Sequence, residues 1–401
     1  MARLAPAPNP YELTEDQRRT LTLADEFARN ELAPLAKKMD DEEWWPADLF
    51  GRLGAAGYLG LTIPESEGGP GLDLFASALV GQAFARWNPA VGLSWFAHEN
   101  LCVNNVQRNA SPEQKQRYIP GLANGTLVGA LGLTEPGAGS DALGGMRMTA
   151  RRDGDHYLLN GRKMFITNGS IADVLLVYAK TSPELGAKGI SAFLVEKDAP
   201  GFSVAQKLIK MGFRGSPTAE LVFDDCWVPV QNRVGEEDAG VAVVMSGLDL
   251  ERAVGATLSI GIAERCLQLA LNYARQRRQF GRPIGEFQII QGKLADMYTA
   301  IESMRLLAYK ALAAVNELEI GGGGRGALHQ LTAAAILYCA EAASRVASDA
   351  VQIHGGSGYM WEMEVNRLYR ACKLMEIGAG TSEVRRVIIA EELLRSGVAT
   401  Y

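Results

Sequence analysis

The chain has 401 residues, of which 47% are hydrophobic and 21% are charged, and its formal net charge is −6. These values are ordinary for a globular protein with a sizeable core, and 40 basic against 46 acidic residues disfavour a nucleic-acid or anionic-membrane partner. The five cysteines form no Cys-x-x-Cys pair and the four histidines lack metal-ligand spacing, so we expect no disulfide framework and no metal site.

The N-terminal region, residues 1–122, has the periodicity of helices. We predict helices over 14–39, 47–57, 76–86 and 112–122, the first of them begun by a capping box between Thr14 and Gln17. The chain start is acidic and lacks a long apolar segment, and no apolar run approaches the roughly 20 residues that cross a membrane. These features predict a cytoplasmic protein without membrane insertion.

The middle region, residues 123–235, changes to alternating and β-branched runs bounded by Gly, Asp, Asn and Pro, which is typical of an antiparallel sheet. The helices that a Rossmann unit needs between its strands are not predicted. The last region, 236–401, returns to helical periodicity. We predict helices over 239–276, 287–317, 326–353 and 382–396, with the glycine-rich residues 321–326 as an exposed loop. The predicted fold class is α+β: an N-terminal α-helical domain, a middle antiparallel β domain and a C-terminal four-helix bundle.

Five motifs lie within this plan. They are LTEPGAGSD (133–141), KMFITNG (163–169), RRQFGRPIGEFQ (277–288), which opens a C-terminal helix, QIHGGSGY (352–359) and IGAGTSEVRR (377–386). Glycines in the first allow a close backbone approach to a phosphate or a flavin carbonyl, although alone it is as readily a plain hairpin turn. Together and in this order, the motifs resemble the acyl-CoA dehydrogenase family over almost the whole chain. Residues 91–104 and 245–254 are most similar to its isovaleryl-CoA dehydrogenase branch.

The resemblance implies FAD as cofactor. In the family the aromatic residue at Phe165 is often Trp, so stacking on the flavin is kept here but an N–H donor is lost. Thr167 would lie near flavin N5, and Arg277 would neutralise the FAD pyrophosphate of a neighbouring subunit in a homotetramer, a dimer of dimers. The implied FAD site comprises Leu131, Leu133, Thr134, Gly139, Ser140, Phe165, Ile166, Thr167, Arg277, Gln279, Phe280, Gln288, Gln352, Ile353, His354, Gly355, Gly356, Thr381 and Glu383.

The resemblance also implies the reaction. A carboxylate would remove the α-proton of an acyl-CoA thioester, hydride would pass from Cβ to flavin N5, and electrons would continue to an electron-transferring flavoprotein. Most branches carry this base in a Y-E-G-T sequence, where this chain has Ala379. The isovaleryl branch carries it instead in D-L-E-R, which matches residues 249–252. We therefore predict Glu251 as the base, although a Glu beside an Arg is more often a surface ion pair.

The predicted substrate-binding residues are Ser140, Asp249, Arg252, Gly255, Ala379 and Gly380. Gly255 lies one helical turn beyond Glu251, where the branch usually has a bulky aliphatic residue, so the acyl pocket would be wider or longer. The predicted substrate is a short- or medium-chain acyl-CoA, with branching left open. A longer or cyclic acyl-CoA, an acyl-CoA oxidase reaction, and a non-catalytic flavoprotein that binds DNA or a partner stay open as alternatives.

Overall fold

The first helix begins where its capping box predicts. In the computed structural model, which describes residues 12–316 and 325–397, the Thr14 hydroxyl accepts a hydrogen bond from the Gln17 N–H, and Gln17 Oε1 accepts one from the Thr14 N–H. The predicted helix over 14–39 is interrupted by the π-helical turn Ala28–Leu32, in which the backbone registers shift by one residue. The N-terminal helices are α1 (Glu15–Phe27), α2 (Ala33–Glu42), α3 (Leu49–Ala55), α4 (Leu74–Trp87), α5 (Pro89–Phe96), α6 (Asn104–Asn109) and α7 (Pro112–Asn124).

The middle region folds into one sheet of eight described strands. Its strand order is β6-β7-β3-β2-β4-β5-β8, with β1 paired to β4. The strands are β1 (Gly129–Gly132), β2 (Thr149–Asp153), β3 (His156–Thr167), β4 (Val174–Lys180), β5 (Ile190–Glu196), β6 (Phe202–Lys207), β7 (Thr218–Pro229) and β8 (Arg233–Val234).

The prediction of a purely antiparallel sheet was wrong at two pairs of strands. β1 runs parallel to β4, with Gly129 opposite Val174, and β2 also meets β4 in parallel. The cause is the connection over residues 133–148, which returns the chain to the end of the sheet where β1 began. That connection carries the glycine-rich motif, so the motif lies at an edge between the sheet and the helices.

The described part of the C-terminal region contains the four predicted long helices and two shorter ones, α11 and α12, of which α12 packs on α8 and α10. Residues 277–288 do not open a helix directly, because they first form a short hairpin of β9 and β10. The predicted loop 321–326 lies outside the described residues at positions 321–324. The elements are α8 (Gly240–Gln276), β9 (Arg278–Gln279), β10 (Arg282–Pro283), α9 (Gln288–Asn316), α10 (Ala327–His354), α11 (Gly356–Tyr359), α12 (Glu364–Met375) and α13 (Ser382–Ser396).

Helix α8 packs against parts of all three regions. It contacts α4, α9 and α10 along its length and strand β5 near its N-terminus. Contrary to the expectation from the sequence, its length and composition suffice to cross a membrane, the one such case within residues 12–316 and 325–397. Of that apolar stretch, 67% is buried inside the protein, as in the core helix of a globular protein.

Candidate active site

Glu251 lies in the first third of α8 and is half-buried. Burial disfavours the charged carboxylate and raises the pKa of Glu251 to about 7, while the positive charges of Arg252 and Arg385 act in the opposite direction. A carboxylate with a pKa near neutrality is well suited to accept a proton from a weak carbon acid. This pKa would suit a general base, and the role of Glu251 stays a prediction.

A buried polar network lies beside the base, between α8 and α10. The fully buried Asp249 carboxylate is 2.8 Å from His329 Nδ1 and accepts a hydrogen bond of 2.9 Å from the Thr332 hydroxyl. Arg252 Nη1 lies 3.1 Å from His329 Nδ1 and 3.6 Å from the Asp249 carboxylate. The network fixes Arg252 next to Glu251. Direct contact of Asp249 or Arg252 with a substrate stays a prediction, since both side chains are buried here.

The turn between α12 and α13 contains Ala379 in the left-handed region, with a φ of 56°, followed by Gly380 with a φ of 85°. No hydrogen bond to any residue in the described ranges involves the Ala379 N–H. Thr381 caps the N-terminus of α13, where its hydroxyl accepts a hydrogen bond from the Val384 N–H, and Glu383 in the first turn is exposed. The turn thus presents the Ala379 N–H as a donor, from which a thioester carbonyl could accept a hydrogen bond.

Gly255 is buried one turn beyond Glu251, on the same face of α8. A Cβ added at Gly255 would lie 3.2 Å from Ile336 Cδ1 and 3.8 Å from Phe96 Cζ. The first distance is shorter than an ordinary van der Waals contact, so α10 packs closely on α8 at this glycine. Any larger residue at 255 would have to displace the flexible end of Ile336.

The glycine-rich motif is held by a buried ion pair that the sequence analysis missed. Lys163 Nζ donates hydrogen bonds of 3.0 Å to the Leu133 carbonyl and to Glu135 Oε1. Glu135 also accepts from the backbone N–H groups of Arg147 and Met148 at 2.7 and 3.0 Å. Burial lowers the pKa of Lys163 to about 8 despite the opposing charge of Glu135. The sequence did contain a signal for this ion pair, because Lys163 lies within a strand-like run and a lysine that is buried in a strand needs an acidic or polar partner.

This ion pair brings together two predicted parts of the FAD site. The Met164 N–H also bonds to the Thr134 carbonyl, so residues 131–140 and 163–167 are neighbours. In the first segment Leu131, Leu133 and Thr134 are half-buried, whereas Gly139 and Ser140 are exposed. The segment therefore offers both an apolar wall and an open turn to a ligand.

Phe165 presents an exposed aromatic face at the end of β3. The strand pairing shifts register between Lys163 and Ile166, Phe165 adopts a φ of 63°, and its side chain is 66% exposed. Ile166 points into the core, while Thr167 is half-buried. A flat, bare ring on a β-bulge beside an open turn fits a planar heteroaromatic cofactor.

The remaining predicted FAD residues occur in two exposed groups. Arg277, Gln279, Phe280 and Gln288 are exposed in and after the β9–β10 hairpin. Gln352, Gly355 and Gly356 are exposed at the end of α10, whereas Ile353 and His354 are buried and can contribute only their backbone.

These groups lie far from the base within one chain. With a rise of about 1.5 Å per residue, Arg277 lies about 40 Å along α8 from Glu251. One chain therefore does not bring Arg277 to Glu251. His354 stacks on Tyr273 near the end of α8, at a ring separation of 4.3 Å, which places the two exposed groups near one another.

Metal ligation finds no support in the part of the chain that the structure describes, which contains no group of three or more His, Cys, Asp or Glu side chains placed to hold a metal ion. All five cysteines are buried and unpaired.

Comparison with known proteins matches all three regions to one family. Residues 14–126 match the N-terminal domain of acyl-CoA dehydrogenase, 130–226 its middle domain and 238–394 its C-terminal domain. A mitochondrial isovaleryl-CoA dehydrogenase of Oryza sativa is 48% identical over 92% of this chain and 89% of its own. A mitochondrial 2-methylacyl-CoA dehydrogenase of Solanum tuberosum is 44% identical over 96% of this chain and 92% of its own.

Solved structures share the fold. A chain from a structural study of the electron transferring flavoprotein of Acidaminococcus fermentans has a TM-score of 0.91 and 40% identity, covering 96% of this chain and 99% of that one. The FAD complex of PigA has a TM-score of 0.90 and 32% identity, with the same two coverages.

Proposed function

The chain belongs to the acyl-CoA dehydrogenase family, and we propose that it oxidises an acyl-CoA thioester between Cα and Cβ with Glu251 as the base. The proposal rests on two residues taken together, Glu251 and Ala379. Glu251 is a desolvated carboxylate with a pKa near 7, and Ala379 stands where most of the family has its glutamate. The protein is an oxidoreductase, and its cofactor is FAD.

The residues on the FAD side fit this cofactor. Cβ atoms added at Gly137 or Gly139 would meet no described atom within 4 Å, so the turn is open to a ligand, and the bare Phe165 ring offers a stacking surface. When bound, FAD supplies the acceptor for the hydride that leaves Cβ. The buried Lys163–Glu135 pair keeps the turn and the strand together, so that the flavin surface is organised before the cofactor binds.

The other residues act on the thioester. Glu251 accepts the α-proton, and the electron pair left on Cα is stabilised by moving toward the thioester oxygen. The Ala379 N–H is the protein donor available to that oxygen, because it has no partner among the described residues. A donor that is already oriented stabilises the developing charge without reorganisation at the moment of reaction.

The proposed substrate is a short- or medium-chain acyl-CoA, with a branched acyl group favoured by the isovaleryl-CoA and 2-methylacyl-CoA dehydrogenases among the relatives. The missing side chain at Gly255, one turn beyond Glu251, would suit an acyl group larger than isovaleryl if the flexible end of Ile336 moved aside. Longer or cyclic acyl groups are therefore the competing proposal.

We propose an electron-transferring flavoprotein as acceptor and a homotetramer as the assembly. Phe280 is 91% exposed in the hairpin that precedes α9, and Ile289 and Leu394 are also largely exposed. Large bare apolar side chains of this kind are typical of surfaces that another subunit covers. A second subunit would also bring its Arg277 to the first subunit's cofactor. The cytoplasmic location stays a prediction.

Anaerobic flavin bleaching tests the reaction and the base. Isovaleryl-CoA, 2-methylbutyryl-CoA and longer or cyclic acyl-CoAs should each be added to the FAD-loaded protein, and the fastest bleaching identifies the substrate class. Glu251→Gln should keep FAD and abolish bleaching, whereas Glu236→Gln, at an exposed position, should bleach normally. Full bleaching by Glu251→Gln would show that the base lies elsewhere. Peroxide formation in air without dye reduction would support an oxidase instead.

A further inference from the structure

Arg385 on α13 is among the largest fully buried side chains of the described chain, with 0% of its surface exposed. Burial lowers the pKa of Arg385 to about 10, so the guanidinium remains charged at neutral pH. Removing a guanidinium from water is costly unless its donors and its charge are matched by neighbours. The role of Arg385 can therefore be inferred from its hydrogen-bond partners and from the charges around it.

Two of its donors hold the turn that contains Ala379. Nη1 donates to the Met375 carbonyl at 2.9 Å, and Nη2 donates to the Gly378 carbonyl at 2.6 Å. These carbonyls lie at the end of α12 and immediately before Ala379. The Ser382 N–H closes the same turn by donating to the Glu376 carbonyl at 2.9 Å.

The left-handed backbone of Ala379 needs such support. A residue with a Cβ in this region costs of order 1 kcal/mol, and it persists only where the surroundings enforce it. Arg385 donates a hydrogen bond to the Gly378 carbonyl, and this carbonyl belongs to the same peptide group as the Ala379 N–H. The direction of that N–H therefore depends on the guanidinium.

Arg385 also interacts electrostatically with the base. Its positive charge and that of Arg252 lower the pKa of Glu251 against the larger effect of burial, and burial together with the charge of Glu251 raises the pKa of Tyr178 on β4. The charged groups that influence Arg385 in turn are Glu251 and Arg252 from α8, Glu341 from α10 and Glu376 after α12. Arg385 Nε has no hydrogen-bond partner within the described residues, so this group is not saturated by the turn.

We propose that Arg385 is a positioning residue that couples the thioester-binding turn to the base, by orienting the Ala379 N–H and by keeping a fixed positive charge beside Glu251. This inference rests on the proposed function of Glu251 and Ala379. Negative charge moves from the Glu251 carboxylate toward the thioester oxygen as the proton is transferred. A cation that is held by the turn and that also acts electrostatically on the base favours that charge at both ends of the movement.

Arg385→Gln and Arg385→Lys separate the two parts of this role. The neighbouring Arg386 is the matched control, because it is on the same helix, is largely exposed and pairs with Glu341. Each FAD-loaded variant is mixed anaerobically with the best acyl-CoA substrate, and the rate of flavin reduction is followed as a function of pH.

Arg385→Gln should reduce flavin about tenfold or more slowly at neutral pH, because the turn loses a charged donor and Glu251 loses the charge that favours its ionised form. The midpoint of its pH–rate profile should move to higher pH. Arg385→Lys, which keeps the charge but can reach only one carbonyl, should be slower with its midpoint near that of the wild type. Arg386→Gln should match the wild type in both.

A slower Arg385→Gln with an unmoved midpoint would reduce Arg385 to a structural role and overturn the proposal. If Arg385→Gln does not fold, a wild-type rate in Arg385→Lys would overturn it as well. Failure of the proposed function is distinguishable, because it would show as flavin reduction by Glu251→Gln, whatever Arg385 does.

Discussion

The ammonium group of Lys163 on β3 lies 3.0 Å from the carboxylate of Glu135 in the turn after β1, and both side chains are buried. The pair joins the turn to the strand that ends in Phe165. Two segments that would contact the same flavin are thus fixed relative to each other by one interaction.

Lys163→Met should weaken FAD binding and lower thermal stability. It leaves the Glu135 carboxylate buried without its counter-charge, and breaking a buried pair in this way costs about 3 kcal/mol or more. The measurements are the flavin-to-protein absorbance ratio after gel filtration and the melting temperature with excess FAD. Lys197→Met removes an exposed lysine that pairs with Asp173 and should change neither by much. Full FAD retention by Lys163→Met would contradict the role given to the pair.

The rate of flavin reduction should rise with pH through about 7. Glu251 must be ionised to accept a proton, and its pKa is raised by burial to about 7. The rate should therefore be low below pH 6 and level off above pH 8. Stopped-flow reduction at saturating substrate provides the profile, and a rate that is flat between pH 5 and 9 would exclude Glu251 as the titrating base.

The contribution of Glu251 to folding stability should fall with rising pH, whereas its contribution to the rate of flavin reduction should rise. Because the folded-state pKa of Glu251 is above its ordinary value of 4.5, its favourable contribution is fully present below pH 4.5 and is lost as the pH rises through about 7. Glu251→Gln should consequently be at least as stable as the wild type at pH 8. A lower melting temperature for this variant at pH 8 would show that the ionised carboxylate stabilises the fold.

Gly255→Leu should shift the preference toward shorter acyl groups. Its Cβ would lie 3.2 Å from Ile336 Cδ1, closer than an ordinary contact, so the larger side chain would crowd the face of α8 that carries Glu251, where we propose that the acyl group binds. Each excluded methylene is worth about 0.8 kcal/mol, so kcat/KM should fall about fourfold per carbon relative to the wild type. Gly292→Leu, on α9 with no described atom near the added Cβ, should leave the acyl profile unchanged. An unaltered profile in Gly255→Leu would place the acyl group elsewhere.

Asp249→Ala should destabilise the protein by about 3 kcal/mol, because Arg252 and His329 would lose their buried acidic partner. The expected result is a lower melting temperature and a lower rate of flavin reduction. Asp296→Ala, at an exposed site on α9, provides the comparison. Equal melting temperatures for the two variants would mean that the network does not hold the region around the base.

The elements that could be predicted from the sequence are those with local signals. The capping box at Thr14 starts α1, and a second capping box at Ser111 starts α7. The family motifs led to Glu251, whose role as the base stays a prediction and whose pKa burial raises to about 7. The residues assigned to FAD and substrate otherwise keep their roles as predictions, since the structure shows their placement and not their ligands.

Features that depend on distant contacts were not predictable from the sequence. The π-helical turn Ala28–Leu32 carries no composition signal. Helix α12 is different, because its apolar residues recur at helical spacing and the local signal was missed. Arg385 lies in a motif that was recognised, but its burial follows from how α13 packs on α10. The parallel pairing of β1 with β4 depends on the path of the connection between β1 and β2, which alternation of apolar residues does not reveal.

The position of Glu251 on α8 has a consequence for how the protein acquires activity. Phe96 from the N-terminal helices lies close to Gly255, one turn beyond Glu251, while Tyr178 from the sheet and Arg385 from the last helix interact electrostatically with Glu251 itself. None of the three regions holds the desolvated base by itself. During synthesis or refolding, the charge of Arg385 and the turn at Ala379 can act on the site only after the final part of the chain has docked, so activity should be the last property to return.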